Sequence, residues 1–123
     1  HVLEPLAAYL RLAEALWRDP ALAGGFNFGP HTHEAASVGS VIGLARDAFG
    51  RGDTELGDGL DGPHEAAWLA LEVAHARSQL GVQPRWGLHQ AVARTMAWYA
   101  RQAEGADARA LCEADIDAFE HGP

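Results

Sequence analysis

The chain is 123 residues long, 48% apolar and 21% charged, with a formal net charge of -8, a composition that fits one globular domain with a core and excludes low-complexity and disordered classes. All nine basic residues are arginine, scattered with no basic stripe, which argues against nucleic acid and against an anionic membrane surface as partners. No apolar run approaches the ~20 residues of a membrane span and no signal peptide opens the chain, so a cytoplasmic protein is the simplest reading.

From Leu3 to Trp17 the apolar positions 3, 6, 7, 10, 13 and 17, with a second stripe at Tyr9, Leu12 and Leu16, predict a helix that is apolar on two faces and wants cover on more than one side. Pro20 helps to stop it, and Gly24-Gly25 turns the chain into a short strand at Phe26-Asn27-Phe28 before Gly29-Pro30. Residues 31 to 36 read as a polar loop. Ser37 is placed to N-cap a helix with apolar positions 38, 41, 42, 45, 48 and 49, inside which Gly39 and Gly43 are expected to permit close packing. Gly50 and Gly52 end it.

Thr54-Glu55-Leu56 is expected as a short strand and the Gly/Asp run from Gly57 to Gly62 as loop. Trp68-Leu69-Ala70-Leu71 reads as another strand, followed by a short helix lined by Val73, Ala76 and Leu80 and closed by Gly81. After an extended stretch at Pro84, a helix begins from Gly87 with Leu88, Val92, Thr95, Met96 and Tyr99 on one side and Gln90, Arg94 and Arg101 on the other. The last helix, Asp107 to Phe119, is expected to pack through Ala108, Cys112, Ile116 and Phe119. Cys112 is alone, so no internal disulfide exists, and it reads as a small core residue rather than a nucleophile.

Chemistry-bearing residues are few. His31-Thr32-His33-Glu34 crowds two imidazoles and a carboxylate into four positions, but no Cys pair or further His cluster is spaced to complete a zinc shell, so these read as surface polar residues. His64-Glu65 follows the Gly/Asp loop and Pro63; an imidazole there can donate to a phosphate or sugar hydroxyl and the carboxylate can accept from one, although both can equally end a loop and cap a strand. Arg85-Trp86 can hold a phosphate or stack on a base, or can bury its indole under its own guanidinium. Tyr9 and Tyr99 lie on apolar helical faces and read as core residues. There is no Ser-His-Asp order, no phosphate-cradling glycine loop ahead of a helix and no lysine for a Tyr-x-x-x-Lys pair.

Several segments together resemble one family. His1-Val2-Leu3-Glu4-Pro5-Leu6, Phe26-Asn27-Phe28-Gly29-Pro30, Pro63-His64-Glu65-Ala66, Leu80-Gly81, Pro84-Arg85-Trp86, Trp98-Tyr99 and Ala110-Leu111-Cys112 are similar, in order, to the substrate-binding end of the CDP-glucose 4,6-dehydratases, nucleotide-sugar enzymes of the extended short-chain dehydrogenase/reductase family. The resemblance implies an α/β parent fold of Rossmann type, from which residues 1-123 form a single, mainly helical C-terminal lobe with a few short strands and no complete Rossmann domain. A chain opening on His1 without Met reads as a fragment. The intact enzyme would use bound NAD to oxidise C4 of the glucosyl unit, eliminate water across C5 and C6, and return the hydride to C6. The lobe alone is expected to bind no cofactor and to carry no catalytic residue.

The same resemblance offers His1, Glu4, His64 and Glu65 as substrate-binding residues, with a CDP-sugar and an upstream Rossmann domain as partners and a possible homodimer. The chain departs from it at Leu71-Glu72-Val73-Ala74-His75-Ala76, where the family commonly has Leu-Asp-x-Ser-Lys-Ala, so a helix cap and a charge are missing. The alternative is a stand-alone helical protein-interaction domain derived from that lobe. A metal-binding module using His31 and His33 is a third, minor reading.

Overall fold

The computed structural model of the protein describes residues 1–55, 57 and 70–122. Among these, five α-helices carry the fold: α1 (Leu3–Arg18), α2 (Val38–Phe49), α3 (Ala74–Leu80), α4 (Leu88–Ala103) and α5 (Ala108–His121), with short 3-10 turns at Pro20–Leu22 and Thr32–Glu34. Ser37 caps α2 as expected, and Asp107, expected as the start of the last helix, caps α5. The Ser37 side chain accepts the Ser40 N–H at 3.1 Å, and Asp107 does the same for Ala110 at 2.8 Å, each satisfying a donor that a first helical turn leaves orphaned. Gly50 and Gly81 close α2 and α3 in the left-handed region, at φ of 79° and 65°, where a Cβ would be strained. α3 lacks a cap from Val73, and the Glu72 carboxylate takes the Ala74 N–H instead, at 2.5 Å.

The expected strands are absent among the described residues. Residues 26 to 28 form no ladder. Their neighbours at 71 to 73 are met through side chains: the Asn27 amide donates to the Glu72 carbonyl at 3.3 Å, and a Cβ on Gly29 would stand 3.4 Å from Leu71 Cδ1. Pro30, without an N–H, cannot prolong such a pairing. Thr54, Glu55, Ala70 and Leu71 have no regular structure; Leu56, Trp68 and Leu69, the rest of the two other expected strands, lie outside the described residues. The chain is therefore a helical assembly as far as it is described, and the α/β character stays with the implied parent fold.

α2 packs along α4, α5 against α4, and α1 against the turn at Pro20–Leu22 and against α3. α1 and α3 each bury an alanine, Ala8 and Ala76, both 2% exposed, small enough to let the backbones approach. The larger core residues are Leu80, Trp86, Leu111 and Phe119. Trp86 and Phe119 meet edge to face with centroids 5.0 Å apart, and burying side chains of this size is worth ~1.5–3 kcal/mol each.

Several core expectations fail for identifiable reasons. Cys112 is exposed, and Tyr9 and Tyr99 are more than half exposed. α5 is rotated from the expected face, so that Leu111, Asp115 and Phe119 point inward: Asp115, with a side chain 18% exposed, pairs with Arg94 at 3.6 Å, and a hydrophobicity pattern cannot anticipate an inward carboxylate with a partner. A Cβ on Gly43 would meet nothing within 4 Å, so this glycine does not serve close packing. Leu6, Leu10 and Trp17 of α1 stay exposed, Trp17 at 90%; one side of the two-faced helix is covered and the other is not. No helix among the described residues is long and apolar enough to cross a membrane.

Candidate functional site

The start of α1, the segment 27–34, α3 and the turn 82–88 surround a cleft of about 350 Å³, within the size range of small-molecule sites. Its walls are mostly apolar, Ala8, Phe28, Val73, Val82 and Trp86 among them, and its charged or titratable lining residues are His1, Glu4, His31, Glu34 and Arg77. Of the four residues expected to contact substrate, His1 and Glu4 are brought together here. His64 and Glu65 lie outside the described residues.

Glu4 is held by the backbone of a segment eighty residues away. Its carboxylate accepts the Arg85 N–H at 3.0 and 3.2 Å and the Trp86 N–H at 2.8 Å, so a residue of the first turn of α1 clamps the turn that leads into α4. Arg85 extends the link, its guanidinium donating to the Phe119 and Glu120 carbonyls and lying 5.0 Å over the Phe119 ring. This satisfies carbonyls left open at the end of α5. Trp86, 4% exposed, is covered as one of the sequence readings holds, but by Arg94, whose guanidinium sits 4.3 Å over the indole, and not by its neighbour Arg85.

His1 closes the same corner. Its Nδ1 accepts the Leu3 N–H at 3.3 Å, which leaves Nε2 as the protonated nitrogen of a neutral ring, 3.7 Å from an Asp115 carboxylate oxygen. The ring meets Trp86 edge-on at 4.9 Å.

Glu34 was not singled out by sequence reasoning beyond its histidine neighbours. Its Oε1 accepts the Leu88 N–H at 3.1 Å, supplying the cap that Gly87 cannot. A Cβ on Gly87 would come 2.5 Å from that oxygen. The signal was present in the sequence: a long helix opening on glycine, without a local Ser, Thr, Asp or Asn, needs its acceptor from elsewhere. His31 and His33 stack on each other at 5.3 Å, with planes 11° apart. With Glu34 turned to α4 they do not assemble a ligand set, and among the described residues no group of three or more His, Cys, Asp or Glu could hold a metal ion.

A second depression, about 400 Å³, lies where α1, α4 and α5 meet and is almost wholly apolar, walled by Leu6, Trp98, Tyr99, Cys112 and Ile116. Leu6, Tyr99 and Ile116 are exposed there.

No protein-family model matches the chain. Over 108 residues it is 37% identical to the CDP-glucose 4,6-dehydratase of Salmonella typhimurium (strain LT2); this stretch is 87% of the chain and 30% of that enzyme. The chain thus spans less than a third of the length of the curated relative it matches, and is similar over most of its own length to one part of a CDP-glucose 4,6-dehydratase.

Proposed function

We propose that the chain is the nucleotide-sugar-binding lobe of an NAD-dependent CDP-glucose 4,6-dehydratase, converting CDP-glucose to CDP-4-keto-6-deoxyglucose and water when joined to an upstream dinucleotide-binding domain. The observation that carries this reading is the 37% identity extending over 87% of the chain. The cleft at His1 and Glu4 supports it as a concave, largely apolar site of small-molecule size. Without lysine the chain cannot form a Tyr-x-x-x-Lys pair. Lacking that pair, the lobe's part is to bind and orient the sugar nucleotide, with hydride chemistry belonging to the other domain.

His64 and Glu65 are the proposed loop contacts to the nucleotide diphosphate, and His1 and Glu4 form the edge of the substrate cleft. The open apolar side of α1, with Leu6, Leu10 and Trp17 exposed, suits a lobe that packs on a second domain. A stand-alone interaction domain has no observation of its own in its favour. The test is calorimetric titration of the chain with CDP-glucose, with dTDP-glucose as control, in wild type and His64→Ala. Selective CDP-glucose binding that weakens in the variant is expected. A folded chain that binds neither nucleotide sugar, or both alike, would reject the assignment.

A further inference from the structure

Seven of the nine arginines are engaged within the lobe: Arg11 and Arg18 with Glu14, Arg46 with Asp47, Arg94 with Asp115, Arg109 with Glu113, Arg51 over Phe49, and Arg85 on the end of α5. Among the described residues only Arg77 and Arg101 have no ion pair, no guanidinium hydrogen bond and no aromatic ring beneath the guanidinium. Arg101 sits in the last turn of α4, outside both depressions. Arg77, on α3, lines the cleft.

The two carboxylates lining the same cleft do not neutralise it. Glu4 is turned to the Arg85 and Trp86 N–H groups and Glu34 to that of Leu88, so their charge is met by backbone dipoles. Arg77 is exposed at the rim of a cleft whose walls include the apolar Phe28, Val73 and Trp86. A planar fork of N–H donors matches a pair of phosphate oxygens, and low-dielectric walls strengthen such charge-assisted bonds. A cleft of about 350 Å³ takes a small molecule.

We infer that Arg77 is the anion-recognising residue of this cleft and holds the diphosphate of a nucleoside-diphosphate ligand. The inference rests on the nucleotide-sugar reading for the identity of the ligand and adds a contact on α3 to those assigned above.

The experiment is calorimetric titration of the full chain with CDP-glucose and, separately, with inorganic pyrophosphate. It compares wild type, Arg77→Gln, Arg77→Lys and Arg101→Gln, each checked for folding by circular dichroism. Arg101→Gln removes the same charge outside the cleft. Arg77→Gln is expected to weaken both ligands about tenfold or more, the loss of a charge-assisted contact. Arg77→Lys, keeping the charge without the fork, should weaken them less, and Arg101→Gln should leave them within about twofold. CDP-glucose bound equally by wild type and Arg77→Gln overturns the assignment while the nucleotide-sugar reading stands. Pyrophosphate bound through Arg77 with no binding of CDP-glucose keeps the assignment and removes that reading. Binding of neither ligand, or equal losses in Arg77→Gln and Arg101→Gln, overturns it.

Discussion

Replacing Glu4 by Ala removes the acceptor for two backbone N–H groups at once, and the cost can be worked from their surroundings. The Trp86 N–H is part-buried and 2.8 Å from Oε1; stranding a donor there costs ~1–3 kcal/mol. The Arg85 N–H, bonded at 3.0 and 3.2 Å, is exposed, so water replaces the carboxylate and the loss is below ~1 kcal/mol. Because the two share one carboxylate the terms do not simply add, and the variant should lose about 2–3 kcal/mol, a large part of the ~5–15 kcal/mol that stabilises a domain of this size. At roughly 3–5 °C per kcal/mol for a chain between the small and mid-sized classes, the midpoint should fall by roughly 10 °C. Thermal denaturation followed by far-ultraviolet circular dichroism reads this directly. Glu4→Gln, which keeps one acceptor but turns an amide towards the second N–H, should fall between wild type and Glu4→Ala. A Glu4→Ala midpoint within 2 °C of wild type, on the scale of roughly 3–5 °C per kcal/mol, would refute the clamp.

Gly43→Ala should stabilise α2 by ~0.5–1 kcal/mol, because a Cβ there meets nothing within 4 Å and alanine is the better helix former; a lowered midpoint in a thermal melt would show hidden packing. Gly87→Ala should cost about 1 kcal/mol by pushing Glu34 off the start of α4, and urea titration of the double variant with Glu34→Ala should show the two losses to be strongly non-additive. Trp86→Ala should cost ~3–5 kcal/mol for a side chain buried among His1, Arg94 and Phe119. Trp17→Ala, at a position 90% exposed, should stay within ~0.5 kcal/mol in the same denaturant titration.

Helix positions and ends were legible because their signals are local. Ser37 as a cap, Gly50 and Gly81 as left-handed closures and the Ala76 and Leu80 face of α3 depend on a few neighbouring residues each. What the sequence left hidden is long-range. Glu4 reaching Arg85 and Trp86, and Glu34 reaching Leu88, join residues more than fifty positions apart, and neither carboxylate differs in its local pattern from a solvated one. The rotation of α5 is of the same kind, since Asp115 turns inward to meet Arg94 of α4 and the ring of His1. The strand at 26–28 was misread because Phe-Asn-Phe between glycines satisfies a strand pattern, whereas a ladder also needs a partner edge.

Among the described residues the buried apolar side chains are Ala8, Ala76, Leu80, Trp86, Leu111 and Phe119, so the lobe relies on where that burial is concentrated. Its densest point is Trp86, which gathers His1, Arg94 and Phe119 around the indole while its backbone N–H holds Glu4. Through the Arg85 guanidinium on the last turn of α5 the same corner ties the first, the fourth and the last helix together. Trp86 is also a wall of the cleft. A ligand there would meet side chains already held by packing and hydrogen bonds, which lowers the ordering cost of binding. The exposed apolar residues Leu6, Tyr99 and Ile116 line the other depression. The two sites share only His1, but Asp115 of the groove also meets Arg94, whose guanidinium covers the Trp86 wall of the cleft, so cover of the groove and occupation of the cleft can influence one another through this corner.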